Sequence, residues 1–208
     1  ERVLVRGRSF KPRSSASVSL VDGAYGYDIE AQHKDNALMI YLQGEGDSFD
    51  HQAKVMLLAQ SLSTPFYASL RTEQQLGYIV FASYYPIREM PGAVFIVQSP
   101  THDAADILAA IKDFTVKYTP DFETEFRAHQ LAVVSQLAEV PKNLNEQVSK
   151  FWQSVNNDDW NFDREDKLIK AIEALEPKAF AEWYRAFFER TLLAKSPRAM
   201  VFYANGDS

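Results

Sequence analysis

Apolar residues in the first half of the chain follow the patterns expected of β-strands. The run at residues 38–42 is continuously apolar and is bounded by turn residues, which favours a strand buried on both faces. Residues 78–85 and 93–98 flank a cluster of proline and glycine, so they predict a β-hairpin. Shorter strands are predicted at residues 17–21 and 199–203.

One helix is predicted between the strands at residues 38–42 and 78–85. Its apolar residues recur at helical spacing, and Asp47 or Ser48 is placed to cap its first turn. Pro65 is expected to end this helix near residue 63, because proline lacks the N–H group that a helix interior uses.

The second half of the chain shows helical periodicity. Thr101 is a candidate cap for one helix, and Thr119 followed by Pro120 predicts the start of the next. The predicted helices have apolar faces at residues 107–114, 122–137, 148–155, 168–172 and 180–188. The last face is rich in aromatic residues, and we interpret it as core packing rather than as a ligand groove.

Strands followed by helices and one closing strand indicate an α+β fold. We expect a two-layer sandwich in which a mostly antiparallel sheet packs against helices. No linker or internal repeat divides the sequence convincingly, so residues 1–208 are predicted to form one domain with short irregular termini.

Composition narrows the classes of protein. The chain has 208 residues, of which 46% are hydrophobic and 24% charged, as in globular proteins. The absence of cysteine excludes disulfides, thiolate metal sites and a cysteine nucleophile. A net charge of -6 argues against nucleic acid as a partner, and no apolar run approaches the length of about 20 residues that spans a membrane.

The chain begins with Glu1 rather than methionine, so we expect either a processed product or a piece excised from a longer protein. Residues 1–13 nevertheless carry a net charge of +4. We interpret this basic arm as a solvated strand edge or terminus, and a docking arm is the alternative.

Local motifs for several chemistries are missing from the sequence. None of the four histidines has another histidine within five residues, so no local zinc motif is predicted. No Gly-x-Ser-x-Gly elbow is present. Acidic clusters lie where helices begin or in loops, and we assign them no acid–base role.

Residues 64–81 are predicted to form the end of one element, a polar loop and the start of a strand, and they carry the strongest candidate chemistry. Arg71 presents a rigid fork of donors, and Tyr78 presents a phenolic donor at the start of a strand. Such a pair is suited to gripping a peptide and stabilising developing negative charge. The alternative is that Arg71 pairs with a nearby carboxylate and Tyr78 packs half-buried.

The run Leu70-Arg-Thr-Glu-Gln-Gln-Leu-Gly-Tyr-Ile-Val-Phe81 closely resembles a signature of the insulinase/pitrilysin family of zinc peptidases. Phe95-Ile-Val-Gln-Ser99 and Trp160-Asn-Phe-Asp-Arg164 are also similar to stretches of that family. The resemblance extends from about residue 30 to about residue 190. It identifies the chain as the last of the family's four homologous α+β domains.

The resemblance implies a role in a metalloendopeptidase that degrades short polypeptides. In this family the N-terminal half carries the zinc motif, and the C-terminal half closes over it to form a chamber. Tyr78 would donate a hydrogen bond to the substrate carbonyl oxygen as zinc-bound water attacks, and Arg71 would bind the substrate backbone.

The resemblance also implies the partners of this chain. No cofactor is expected here, because zinc would be bound by the N-terminal half of the same parent. The partners would be that half and peptide substrates. The chain alone would then be inactive, and a bacterial parent would be periplasmic. The alternative is a non-enzymatic scaffold or peptide-binding module from an inactive member of the same superfamily.

Overall fold

The computed structural model describes residues 20, 23–30, 33–157 and 161–206. Within them the strands form one five-stranded sheet in the order β1-β5-β2-β4-β3. The strands are Gly23–Asp28 (β1), Asn36–Gln43 (β2), Ile79–Tyr84 (β3), Gly92–Ser99 (β4) and Arg198–Ala204 (β5). The pair β1–β5 is parallel and the other three pairs are antiparallel, so the predicted mostly antiparallel sheet is confirmed.

The central strand β2 lies between β5 and β4. Leu38, Ile40 and Leu42 are buried in the core, and Tyr41 is buried on the opposite face. The prediction of a strand buried on both faces is therefore confirmed. The predicted hairpin is also present, since β3 pairs antiparallel with β4 in a register that places Tyr84 opposite Ala93.

Strand β1 was not predicted from the sequence. Its residues include two glycines and show no alternation of apolar and polar positions, yet it pairs along its length with β5. The strand predicted at residues 17–21 lies outside the described residues except for Leu20, which is not in a strand. The basic arm at residues 1–13 also lies outside them.

The described residues also contain six α-helices, as expected from the periodicity. They are Phe49–Tyr67 (α1), Ala104–Lys117 (α2), Phe126–Leu137 (α3), Leu144–Asn157 (α4), Arg164–Glu173 (α5) and Pro177–Phe188 (α6). Helix α1 packs on β3 and β4, and α2 packs on β2. Val80 and Ala82 of β3 are buried, whereas Ile79 and Phe81 on the other face are exposed. The architecture is the expected two-layer α+β sandwich.

The aromatic stripe of α6 lies in the core. Phe180, Tyr184 and Phe187 are at most 2% exposed. The ring of Phe180 lies 5.1 Å from that of Phe122 in an edge-to-face arrangement. The interpretation of this stripe as core packing is confirmed.

Pro65 does not end α1, contrary to expectation. The helix continues to Tyr67 and passes directly into a π-helical segment at Ala68–Glu73. Phe66 and Leu70 are both fully buried. Their burial in the core offsets the hydrogen bond that proline cannot make, so tertiary packing overrides the local signal.

The first helix cap is as predicted, but two later helix starts differ. The Ser48 hydroxyl accepts from the backbone N–H of His51 and caps α1. Asp103 rather than Thr101 caps α2, because its carboxylate accepts from the N–H of Asp106. Helix α3 begins at Phe126 rather than at Pro120.

A turn built on Asp121 replaces the expected first turn of α3. The Asp121 carboxylate accepts from the backbone N–H groups of Glu123 and Thr124 and from the Thr124 hydroxyl. An aspartate that bonds its own following backbone competes with helix in this way.

Helix α4 leaves much of its apolar face exposed. Leu144, Val148 and Trp152 are 74%, 53% and 59% exposed. Helix α4 nevertheless contacts the rest of the fold, since Phe151 packs edge-to-face against Phe162 and Lys150 pairs with Glu165. No helix in the described part of the chain is long and apolar enough to cross a membrane.

Candidate functional site

Arg71 and Tyr78 lie at the two ends of the short connection between α1 and β3. Arg71 is on the π-helical segment rather than on the polar loop that the sequence predicted. Its neighbour Leu70 is fully buried, so the segment is anchored in the core. Tyr78 immediately precedes β3.

The turn between these residues is fixed by backbone hydrogen bonds. The N–H of Gln74 donates to the carbonyl of Ser69 over 3.0 Å, and the N–H of Leu76 donates to the carbonyl of Leu70 over 2.9 Å. Gln75 adopts a positive φ of 51°, which non-glycine residues seldom do. This turn brings Tyr78 back toward Arg71.

Gly77 allows the chain to enter the sheet. A Cβ at this position would lie 2.2 Å from the carbonyl oxygen of Gln98. The next residue, Tyr78, donates its N–H to that same oxygen over 3.0 Å. The close approach of the two strands therefore requires glycine.

An open pocket of about 680 Å³ lies between this turn and the end of β4. It is lined by Tyr67, Arg71, Thr72, Gln75, Gly77, Tyr78, Pro100 and Thr101. The structure thus brings the two predicted site residues into one pocket. Its lining mixes apolar surface with the donors of Arg71 and Tyr78, which suits a ligand that carries hydrogen-bond acceptors.

Arg71 lines this pocket, and in the described part of the chain its side-chain donors have no partner. Within the described residues it forms no ion pair with a carboxylate and no side-chain hydrogen bond. The alternative in which a nearby carboxylate holds Arg71 is therefore not observed in this part of the chain. The guanidinium remains charged in any protein and carries five N–H donors.

Tyr78 is 47% exposed, and its hydroxyl is engaged. It donates a hydrogen bond to Oδ2 of Asp35, which lies just before β2. This hydrogen bond is the main reason why the pKa of the Tyr78 phenol is raised above its ordinary value of 10.0. The phenol is therefore protonated at neutral pH and is a donor.

Asp35 and Gln98 complete the surroundings of Tyr78, and sequence reasoning missed both. The side-chain amide of Gln98 donates to Asp35 Oδ2 over 3.3 Å. Gln98 is opposite Ala37 on β2 and opposite Ile79 on β3. These two residues meet because β2 pairs with β4, and the sequence of neither strand shows this pairing by itself.

The described residues hold no group of three or more histidine, cysteine or acidic side chains placed to bind a metal ion. Each of the four histidines has local contacts, and Nδ1 of His33 accepts from the backbone N–H of Asp35. His51 contacts Ser48, His102 contacts Thr101, and His129 lies near Glu125. The described residues therefore do not fit a zinc centre.

The motif at residues 161–164 has a structural role, and Trp160 before it lies outside the described residues. Arg164 donates to the carboxylate of Glu89 and to the side chain of Gln52. Its guanidinium carbon also lies 5.8 Å from the centre of the Phe49 ring. Arg164 thus joins α5 to α1 and to the β3–β4 connection.

Comparisons with known proteins agree on one class. Residues 57–152 match the family model "PQQ synthase PqqF-like, C-terminal lobe domain 4". Protease 3 of Escherichia coli O6:H1 is 31% identical over 177 residues, and insulin-degrading enzyme of Drosophila melanogaster is 28% identical over 176 residues. These alignments cover 83% and 82% of this chain but only 18% of each relative.

The crystal structure of pitrilysin has the same fold. It superposes with a TM-score of 0.67 and 26% identity, covering 89% of this chain and 20% of that one. The chain belongs to the insulinase/pitrilysin family of zinc metallopeptidases. Within that family it corresponds to a C-terminal domain.

Proposed function

We propose that this chain is the closing, substrate-contacting domain of a zinc metalloendopeptidase that degrades short polypeptides. The observation that carries the proposal is the pocket shared by Arg71 and Tyr78, in a chain that belongs to a peptidase family. Both residues face solvent in part and carry donors, whereas a peptide offers mainly carbonyl acceptors.

Tyr78 has the chemistry of an oxyanion donor. Its phenol is protonated at neutral pH and exposed, so it donates a hydrogen bond to the carbonyl oxygen of the scissile peptide. That oxygen gains negative charge in the transition state, where a fixed donor stabilises it more than in the ground state. Loss of one such donor typically raises the barrier by about 2.7–4 kcal/mol.

Arg71 has the chemistry of a substrate clamp. Its donors are not committed to a carboxylate within the described residues, and its planar fork suits two neighbouring carbonyl oxygens or a carboxylate. In this role Arg71 binds the backbone of an extended peptide and orders it against the pocket.

The catalytic metal belongs to another part of the parent protein in this proposal. The resemblance to zinc peptidases is the reason why zinc is expected in the N-terminal half of the parent. That half is the proposed partner, and this chain closes a chamber with it. The periplasmic location of a bacterial parent stays a prediction.

A peptide-cleavage assay tests the proposed function. The 208-residue chain and the longer protein that contains it are each incubated with a quenched fluorescent peptide. We expect cleavage by the longer protein only, abolished by a chelator and restored by zinc. The absence of cleavage by the folded, zinc-supplied longer protein would favour the scaffold alternative. Cleavage by the chain alone would contradict the proposal.

The same assay tests Arg71. Arg71→Lys retains the charge but loses the planar fork, so KM is expected to rise about tenfold, the equivalent of one charged hydrogen bond. Arg185→Lys is the matched control, because Arg185 is an exposed arginine of α6 that lies outside the pocket. Equal KM values in the two variants would remove Arg71 from the site.

A further inference from the structure

The hydroxyl of Tyr78 has a single proton, and the structure shows where that proton is directed. The phenol donates it to Oδ2 of Asp35. A phenol cannot donate the same proton to two acceptors at full strength. A substrate carbonyl that approaches Tyr78 must therefore compete with a carboxylate, which is the stronger acceptor.

Asp35 is held firmly in this position. Its side chain is only 15% exposed. The amide of Gln98 donates to the same Oδ2 over 3.3 Å, and the backbone N–H of Asp35 donates to Nδ1 of His33 over 3.1 Å. The carboxylate is thus fixed between the ends of β2 and β4 while the phenol lies at the pocket.

Among the described residues, the side chain of Asp35 has no lysine or arginine partner. The nearest basic group among these residues is Nδ1 of His33 at 3.6 Å. The carboxylate therefore retains its full capacity to accept from Tyr78. A carboxylate satisfied by an arginine would hold the phenol less strongly.

We propose that Asp35 is a latch that engages the hydroxyl of Tyr78 in the free protein and that substrate must displace. The proposal rests on the proposed function, because it assumes that Tyr78 serves the substrate. The latch opposes catalysis, because the hydrogen bond from Tyr78 to Asp35 must break before Tyr78 can donate to the substrate. Weakening the latch should therefore raise kcat/KM.

The hydrogen bond itself is tested first, without any assay of activity. The ring-labelled chain is titrated by NMR, and the Tyr78 signal is assigned from its loss in Tyr78→Phe. In Asp35→Asn and Asp35→Ala the phenol is expected to ionise at lower pH than in the wild type. Asp50→Asn, which removes an exposed carboxylate elsewhere, is expected to leave the titration unchanged. An unchanged Tyr78 titration in both Asp35 variants would overturn the latch.

Kinetics of the longer protein then test the competition. Asp35→Asn is expected to raise kcat/KM about fivefold, the equivalent of one ordinary hydrogen bond. Asp35→Ala, which leaves no acceptor, is expected to raise it at least as far. Asp50→Asn is the control for the change in charge. In the Tyr78→Phe background the effect of Asp35→Asn should vanish, because no hydroxyl remains to be released.

The outcomes separate the latch from the proposed function. A lower or unchanged kcat/KM in Asp35→Asn, with Tyr78→Phe strongly impaired, would overturn the latch and leave the proposed function standing. An equal gain with and without the Tyr78 hydroxyl would also overturn it. Unimpaired turnover in Tyr78→Phe would overturn the proposed function and the competition together, and the NMR titration would still decide whether the hydrogen bond exists.

Discussion

Gly77 illustrates how a single residue positions the candidate site. A methyl group at residue 77 would lie 2.2 Å from the carbonyl oxygen of Gln98, which is a backbone atom with little room to move. Gly77→Ala is therefore expected to reduce the free energy of unfolding by about 1–3 kcal/mol, as overpacking does. Urea denaturation measures this quantity.

Gly26→Ala is the matched control for this substitution. At residue 26 the nearest atom to an added Cβ is Tyr203 Cε1 at 3.8 Å, an ordinary contact. We expect no loss of stability from it. A similar loss of stability in both variants would contradict the explanation that Gly77 is required by its close contact with the carbonyl oxygen of Gln98.

Asp121 gives the pH dependence expected of a hydrogen-bonded carboxylate. Its pKa is lowered from the usual 3.8, first by the Thr124 hydroxyl and then by the Thr124 backbone N–H. A group with a depressed pKa stabilises the fold above its unfolded pKa, and this contribution is lost as the pH falls through the folded pKa. Thr124→Val should move the Asp121 pKa upward in an NMR titration.

Stability measurements complete the test of Asp121. The destabilisation caused by Thr124→Val should be larger at pH 7 than at pH 2, where the carboxyl is being protonated in both folded and unfolded states. Thr119→Val is the control, because Thr119 is exposed and not bonded to Asp121. A destabilisation that is the same at both pH values would contradict the assignment.

At the residue scale, the sequence predicted only part of the candidate site. Arg71 and Tyr78 were predicted from the donors that they carry and from a resemblance, and the structure places both in one pocket. Asp35 was not predicted, because it is 43 residues from Tyr78 and meets it only through the sheet. That a tyrosine can donate a hydrogen bond follows from its residue type. Which acceptor it faces depends on how the strands pair.

At the scale of elements, α4 and α6 have similar amphipathic sequences but different surroundings. Phe180 of α6 is 1% exposed, whereas Trp152 of α4 is 59% exposed. Phe180→Ala is expected to reduce the free energy of unfolding by about 3–5 kcal/mol. Trp152→Ala is its matched control and should change that quantity by less than about 0.5 kcal/mol.

Chemical denaturation of the isolated chain distinguishes these two helices. A large loss of stability from Trp152→Ala would show that the α4 face is covered in solution, contrary to its exposure here. A small loss from Phe180→Ala would contradict the assignment of the α6 stripe to the core.

Elements were predicted well where local and tertiary preferences agree. The hairpin β3–β4 has apolar strands and a proline–glycine turn, and its register is regular. Pro65 misled the prediction because the burial of Phe66 and Leu70 outweighs a missing hydrogen bond. Strand β1 was missed because its stability comes from pairing with β5, far along the chain.

At the scale of the molecule, the fold class followed from the order of the elements but the topology did not. The order β1-β5-β2-β4-β3 places the last strand between the first two. Such long-range pairing is not encoded in any one segment. In this sheet β2 and β3 both pair with β4, which brings the residue before β2, Asp35, close to Tyr78 before β3. The topology therefore creates the surroundings of the candidate site.

The chain spans less than a fifth of the length of the relatives that it matches, so its proposed role concerns a larger assembly. In that proposal, the pocket that Arg71 and Tyr78 line supplies the hydrogen-bond donors that face a peptide. The central claim is therefore that Tyr78 acts on a substrate held between this chain and another part of the parent.

The most direct test is the turnover of a peptide by the longer protein that carries Tyr78→Phe. We expect kcat to fall about 10²–10³-fold, because only the oxyanion donor is removed. Tyr27→Phe is the matched control, since Tyr27 is also 47% exposed but stacks on Phe202 away from the pocket. It should retain wild-type kcat. Wild-type turnover in a folded Tyr78→Phe variant would contradict the account.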